Sequence, residues 1–298
     1  MILLNFQSAD GLQLGILQGN RVIDVQVGSE RLGIEAPATF EDLAANTRRG
    51  LGKLEALAAV VPGDEQLALG DLEIGPAVPR PGKIICIGLN YRHHAIESGM
   101  EIPAEPILFS KFGNAITASG ADIDISGLDK VDYEAELGVV IGRTARNVEA
   151  GSALDHVLGY CNANDVSDRE LQFKSGQWLL GKTVDGFCPV GPWLRTPEPG
   201  FDAQDLAIRG WLNGELRQEN NTSDMVFSIA ELIAYISRHF TLEPGDLVLT
   251  GTPMGVILGR EEKDWIRPGD EYRVEIEGLG SRVNRFTVPE SRRPRCGF

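Results

Sequence analysis

Short apolar stretches at residues 2–6, 12–17 and 22–27 open the chain, separated by Asp10-Gly11 and Gly19-Asn20. Turn pairs between short apolar runs predict a strand meander. Thr39, with Asp42 three residues on, predicts a helix start, and the Ala- and Leu-rich stretch after it carries the helical pattern to about Val61. Pro76, Pro79, Pro81 and Gly82 then break the pattern. We place there the seam between a small N-terminal α+β domain, residues 1–78, and a main domain, residues 79–298.

Past the seam, strand-like runs at residues 83–87, 137–141, 206–212 and 246–250 alternate with few helices. The clearest helix runs from Ser228 to about His239, with Ser228 and Glu231 spaced as a capping box. Asn213-Gly214 predicts a hairpin turn, and Pro244-Gly245-Asp246 and Pro268-Gly269-Asp270 each launch a strand. Regular βαβα alternation is missing, so a mixed, strand-rich α+β core is expected rather than a doubly wound sheet.

Composition narrows the class. With 298 residues, 42% of them hydrophobic, the chain can bury one large core, or one large and one small, without disulfides. Cys86, Cys161, Cys188 and Cys296 are widely spaced with no C-x-x-C pair, which fits reduced thiols rather than zinc ligands or a disulfide framework. No run approaches the roughly 18 apolar residues of a membrane span, and the first residues lack a basic leader, so a cytoplasmic location is expected. The net charge of −15 argues against nucleic acid or anionic membrane as a partner. An anionic substrate would then need a local positive site, for which a bound cation is one solution.

One motif points elsewhere. Gly176-Gln177-Trp178-Leu179-Leu180-Gly181-Lys182-Thr183 satisfies the phosphate-loop pattern and makes a nucleotide-binding module the rival class. A phosphate loop needs a buried strand before it and a helix after it. Gly186, Pro189, Gly191 and Pro192 oppose the helix, and residues 171–175 make a poor strand, so the rival is disfavoured.

The acidic residues are more informative. In Asp132-Tyr133-Glu134-Ala135-Glu136, an acidic patch runs into the apolar stretch 137–141. Residues two apart on a strand share a face, so Glu134 and Glu136 would lie together and repel unless solvated or bridged by a cation. Asp165 closes a second apolar strand, residues 156–163, and opens a short helical segment, where open sites often collect ligands. Carboxylate oxygens completed by water and substrate suit a hard octahedral ion, so Mg2+ or Mn2+ is expected rather than zinc. His94 and Glu97 are three apart on a predicted helix and within reach of each other; His93 is four from Glu97, so spacing does not choose between the histidines. Lys182 lies among Trp178, Leu179, Leu180 and Phe187, an apolar setting in which an ammonium needs an anion or a route to solvent.

With these blocks in place, residues 80–288 resemble the fumarylacetoacetate hydrolase family. The matching residues are Ile85-Cys86-Ile87-Gly88-Leu89-Asn90-Tyr91-Arg92-His93-His94-Ala95-Ile96-Glu97, Asp132 through Gly142, Asn164 through Arg169, Gly181-Lys182-Thr183 to Gly191-Pro192, and Thr250-Gly251-Thr252-Pro253. The resemblance implies a mixed β-roll catalytic core, a magnesium or manganese ion and a homodimer. It also implies that Glu134, Glu136 and Asp165 are the metal ligands, His94 and Glu97 the catalytic pair, and Lys182 a further catalytic group contacting substrate. Arg169, Gln172 and Thr252 match positions around the substrate carboxylate. Met254 and Ile257 depart from the family pattern, so substrate identity is not carried across. The expected activity is hydrolysis of a C–C bond in a small 2,4-dioxo acid, an acylpyruvate or diketo-deoxy-sugar acid, by way of a pyruvate enolate held at the metal. Oxaloacetate decarboxylation or keto-enol isomerisation at the same site is the alternative.

Overall fold

The computed structural model describes residues 1–97 and 99–289 of the chain; Cys296 lies outside them. A 12-stranded mixed sheet forms the frame. Its strands run in the order Leu67–Ala68, Arg21–Asp24, Gly11–Gln18, Ile2–Ser8, Leu194–Arg195, Val157–Asn164, Ala135–Ile141, Leu247–Leu249, Ile84–Gly88, Ile107–Lys111. Cys188–Val190 and Ile116–Ala118 branch from Val157–Asn164. A five-stranded sheet covers it, ordered Glu215–Asn221, Ala207–Leu212, Glu271–Ile276, Ser281–Thr287, Asp122–Asp124. Such strand-rich mixed packing is the α+β class expected from the pattern.

The predicted meander forms, with one correction. The third stretch stops at Asp24, whose carboxylate caps the helix Val25–Leu32 by accepting from the Val27 N–H at 3.1 Å. Residues 25–27 are therefore the first turn of a helix rather than strand, because the cap supplies a partner for an otherwise orphaned amide. The helix begun at Thr39 is split at Asn46 into Phe40–Ala45 and Thr47–Ala58. The Ser228–Glu231 capping box is formed at the start of Ile229–His239. Asn213 and Gly214 both take positive φ, 51° and 82°, as a tight hairpin turn requires.

Ala135–Ile141 and Val157–Asn164 are buried along their whole length, each flanked by strands on both sides and covered on both faces. This explains why they read as continuous apolar runs rather than as alternating ones. They pair antiparallel, with Ala135 opposite Asn164 and Glu136 opposite Ala163. The start of one strand and the end of the other thus lie side by side.

Candidate active site

At that shared end, Glu134 immediately precedes its strand, Glu136 is its second residue, and Asp165 immediately follows the partner strand. The Asp165 N–H donates to the Glu134 carbonyl at 2.9 Å, and the Glu134 N–H to Asn164 Oδ1 at 2.9 Å, which fixes the backbone between them. One carboxylate oxygen from each of Glu134, Glu136 and Asp165 lies within 4.8 Å of the others, and all three residues are buried.

Cations answer most of this charge. Lys182 Nζ donates to Asp165 Oδ2 at 2.7 Å and also to Glu134 Oε2, while Lys111 Nζ pairs with Asp165 Oδ1 at 2.7 Å. Arg169 reaches Glu134 Oε1 through Nη2 at 2.7 Å, Asp132 Oδ2 through Nε at 2.9 Å and Gln172 Oε1 through Nη1 at 2.8 Å. Burial raises the Glu134 pKa, but Arg169 and Lys182 outweigh it and hold the group at about 2. Glu136 moves the other way. Burial first, then the charges of Asp165 and Glu134, push it well above the usual carboxylate range.

Glu136 is thus the acid of the cluster without an ion pair among the described residues; the Gly251 N–H at 2.8 Å is the bond it accepts. Gly251 holds φ at 96°, a left-handed value that favours glycine, to aim that N–H. A hard cation among the three carboxylates would remove the repulsion that Glu136 experiences, so the donor set fits a divalent ion of the magnesium class.

His94 and Glu97 belong to the short helix Arg92–Glu97. His94 is buried, with Nδ1 3.5 Å from Glu97 Oε1, and neither of these two atoms has a hydrogen-bond partner among the described residues. Glu97 is anchored by its other oxygen, which accepts the Gly255 N–H at 2.7 Å. His93 points away, 60% exposed by its side chain and 3.0 Å from Asp224. The ambiguity that spacing left is resolved sterically, since His94 is the histidine of the cavity.

His94, Glu97, Glu134, Glu136, Arg169, Gln172, Lys182 and Thr252 all line one cavity of about 390 Å³; Asp165 lies beneath them, fully buried. The polar atoms of Arg169 and Thr252 are largely engaged within the protein. Thr252 Oγ1 donates to the Ala135 carbonyl and accepts from Gln218 Nε2, each at 2.9 Å. Neither Met254 nor Ile257 lines the cavity; Leu258 and Gly259, which follow Ile257, do. The phosphate-loop pattern lacks its scaffold, since no strand precedes it and Leu179–Lys182 is a single turn.

Two residues of the site escaped the sequence reading. Lys111, at the end of Ile107–Lys111, carries no motif, and its role arises from contact with Asp165 and with the carbonyls of Val166 and Phe187 at 2.9 and 2.8 Å. Asp132 accepts from Arg169 and from the N–H groups of Ile257 and Leu258 at 2.8 and 3.0 Å, tying the loop before Gly259 to the carboxylates. Strand parity was the available signal, since Asp132 shares a face with Glu134 and Glu136.

Residues 83–287 match the fumarylacetoacetate (FAA) hydrolase C-terminal family. A Burkholderia ambifaria protein provisionally named a hydrolase is 43% identical over 266 residues, covering 86% of this chain and 94% of that protein. The fumarylacetoacetate hydrolase of Exiguobacterium antarcticum superposes with a TM-score of 0.82 at 30% identity, over 97% of this chain and all of the other (100%). A Mycobacterium smegmatis structure titled 5-carboxymethyl-2-hydroxymuconate delta-isomerase does so with a TM-score of 0.75 at 31% identity, over 97% and 99%. The chain belongs to the fumarylacetoacetate hydrolase family.

Proposed function

We propose that this member of the fumarylacetoacetate hydrolase family is a magnesium- or manganese-dependent hydrolase that cleaves the C3–C4 bond of a small 2,4-dioxo acid. The observation that carries the reading is the convergence of the Glu134–Glu136–Asp165 cluster and the His94–Glu97 pair on one cavity. Glu134, Glu136 and Asp165 would hold the ion. Bound there, it would supply positive charge for the oxygens of a 2-oxo carboxylate and for the enolate formed when the C–C bond breaks. The charge balance favours an anionic substrate. Lys111 and Lys182 offset two of the three carboxylates, Arg169 offsets Asp132, and Glu136 answers one charge of a divalent ion. A substrate carboxylate would answer the other.

The side chains of this chain then divide the work. Glu97 faces His94 Nδ1 and favours the tautomer protonated there, which leaves Nε2 to take a proton from water. The water oxygen adds to the C4 carbonyl. Collapse of the adduct releases a carboxylic acid and sends the bonding pair to C3 and the 2-oxo group, after which C3 takes up a proton to give pyruvate. Lys182, buried and with its pKa raised by Asp165 and Glu134 against the opposing effect of burial, remains a fixed positive charge beside the site.

Keto-enol isomerisation is the second reading, supported by the isomerase named among the structural neighbours. The same imidazole would move the C3 proton without adding water, and decarboxylation of oxaloacetate would need no water either. The homodimer is part of the same proposal, for which sedimentation is the check. The decisive experiment is chelation followed by readdition of magnesium or manganese, with acylpyruvate cleavage followed through both products. Activity should disappear and return with the metal. Full activity in metal-free protein, or an isomer as sole product, would overturn the hydrolase reading.

A further inference from the structure

The cavity has a second face that the proposed reaction does not use. Ile87, Met100, Phe109, Phe173, Trp178 and Leu258 line it, and the hydrogen-bonding atom their side chains offer is the Trp178 indole nitrogen. This face starts at the carboxylate floor. Lys182 Nζ lies 5.0 Å from the centroid of the Phe109 ring, within cation–π range. Phe109 in turn meets Trp178 edge to face, with centroids 5.3 Å apart at 67°. The indole covers bare backbone at Gly88, where an added Cβ would lie 3.0 Å from Trp178 Cζ3. Gly88 thus leaves the space that brings Trp178 into the wall, and an aromatic strip, Phe109 and then Trp178, runs from the Lys182 ammonium to Gly88.

We propose that this strip seats the acyl half of the substrate, and that this half is flat and apolar, an aryl or conjugated alkenyl group rather than a polyhydroxylated chain. The assignment rests on the proposed 2,4-dioxo acid reading. A sugar-like chain laid on Phe109 and Trp178 would give up hydrogen bonds to water without finding replacements, which costs affinity for every buried hydroxyl. Among the polar liners, Arg169, Lys182 and Thr252 already serve Asp132, Glu134, Asp165, Gln172, Gln218 and the Ala135 carbonyl. A planar acyl group conjugated to a dioxo acid would instead bury its faces against the rings.

The test uses the magnesium-loaded full chain and two readouts. In the first, kcat/KM is measured for benzoylpyruvate, acetylpyruvate and a diketo-deoxy-sugar acid. In the second, binding of phenylpyruvate and of pyruvate is followed by tryptophan fluorescence; phenylpyruvate has no C4 carbonyl and cannot be cleaved. Benzoylpyruvate should exceed acetylpyruvate by about tenfold or more, and phenylpyruvate should bind about tenfold more tightly than pyruvate, the scale set by filling an apolar pocket. Trp178→Leu and Gly88→Ala should raise KM for the aryl substrate several-fold more than for the acetyl one, and Trp178→Phe should restore most of the difference. Preference for the sugar acid, or equal losses on aryl and acetyl substrates, would overturn the assignment. So would tightest binding of a 2-oxo diacid whose advantage vanishes in Lys263→Ala, since the cavity's lysine rim would then set the choice. If no dioxo acid is cleaved while phenylpyruvate still binds through Trp178, the reaction reading fails and the aromatic subsite stands.

Discussion

On the floor of the cavity Asp165 has one oxygen on Lys111 and the other on Lys182, both at 2.7 Å, whereas on its wall His94 Nδ1 and Glu97 Oε1 face each other across 3.5 Å with no other partner among the described residues. The floor hangs from two strands that are buried from end to end. The wall hangs from a six-residue helix, beyond which Met100 and Ile102 are exposed at 50% and 46%. Both regions carry charge in an apolar setting, yet on the floor every charge except that of Glu136 is matched side chain by side chain. A group that holds an ion gains from being fixed by several partners, whereas one that exchanges a proton needs an atom left free. On the proposed reading the floor is the scaffold for binding and the wall the scaffold for turnover, with His94 Nε2 as the atom that exchanges the proton.

If that division is right, the two regions respond differently to mutation. Asp165→Ala should be the most damaging change, because it strips Lys111 of its acid and leaves a buried ammonium with carbonyl partners alone. Breaking a buried pair in this way costs about 3–5 kcal/mol, and denaturant unfolding would read it as a large fall in midpoint with activity lost as well. A midpoint within about 1 kcal/mol of wild type would show that the floor is less tightly coupled than its contacts suggest.

On the wall the order reverses, with rate falling and stability holding. His94→Ala or Glu97→Gln should lower acylpyruvate cleavage by about 10²- to 10⁴-fold with metal content and unfolding midpoint little changed. Any oxaloacetate decarboxylation should lose much less, since no water is activated in it. Equal losses on the two substrates would place the pair in a step common to both and erase the distinction between wall and floor.

Gly259→Ala probes the join between the regions and should have the smallest effect of the three. A Cβ there would come within 2.1 Å of Glu97 Oε1, so the carboxylate must shift and its placement against His94 and the Gly255 N–H is disturbed. Misplacement of this kind should cost about 10- to 100-fold in rate. Metal affinity, measured by titration, should not change; a weakened metal site would mean that the loop held by Asp132 transmits the disturbance to Glu134.

The sequence by itself determined what depends on neighbours along the chain. Ser228 and Glu231 meet because they stand three positions apart at a helix start, Asn213-Gly214 turns because both residues tolerate positive φ, and Glu134 and Glu136 share a face because strands repeat every two residues. The spacing of ordered blocks added the family. Tertiary structure decided the rest. His94 rather than His93 enters the cavity because the Arg92–Glu97 helix turns one face to the floor and the other to Asp224. Lys182 left its phosphate-loop pattern for Glu134 and Asp165, and Lys111 joined the site across 54 residues of chain (165 − 111) without any motif. Trp178 entered the wall because Gly88, 90 positions away (178 − 88), carries no side chain to exclude it. A lysine's partner or a tryptophan's neighbour is fixed by distance in space and by the desolvation that follows it, and no local pattern encodes which distant strand will supply the acid or the gap.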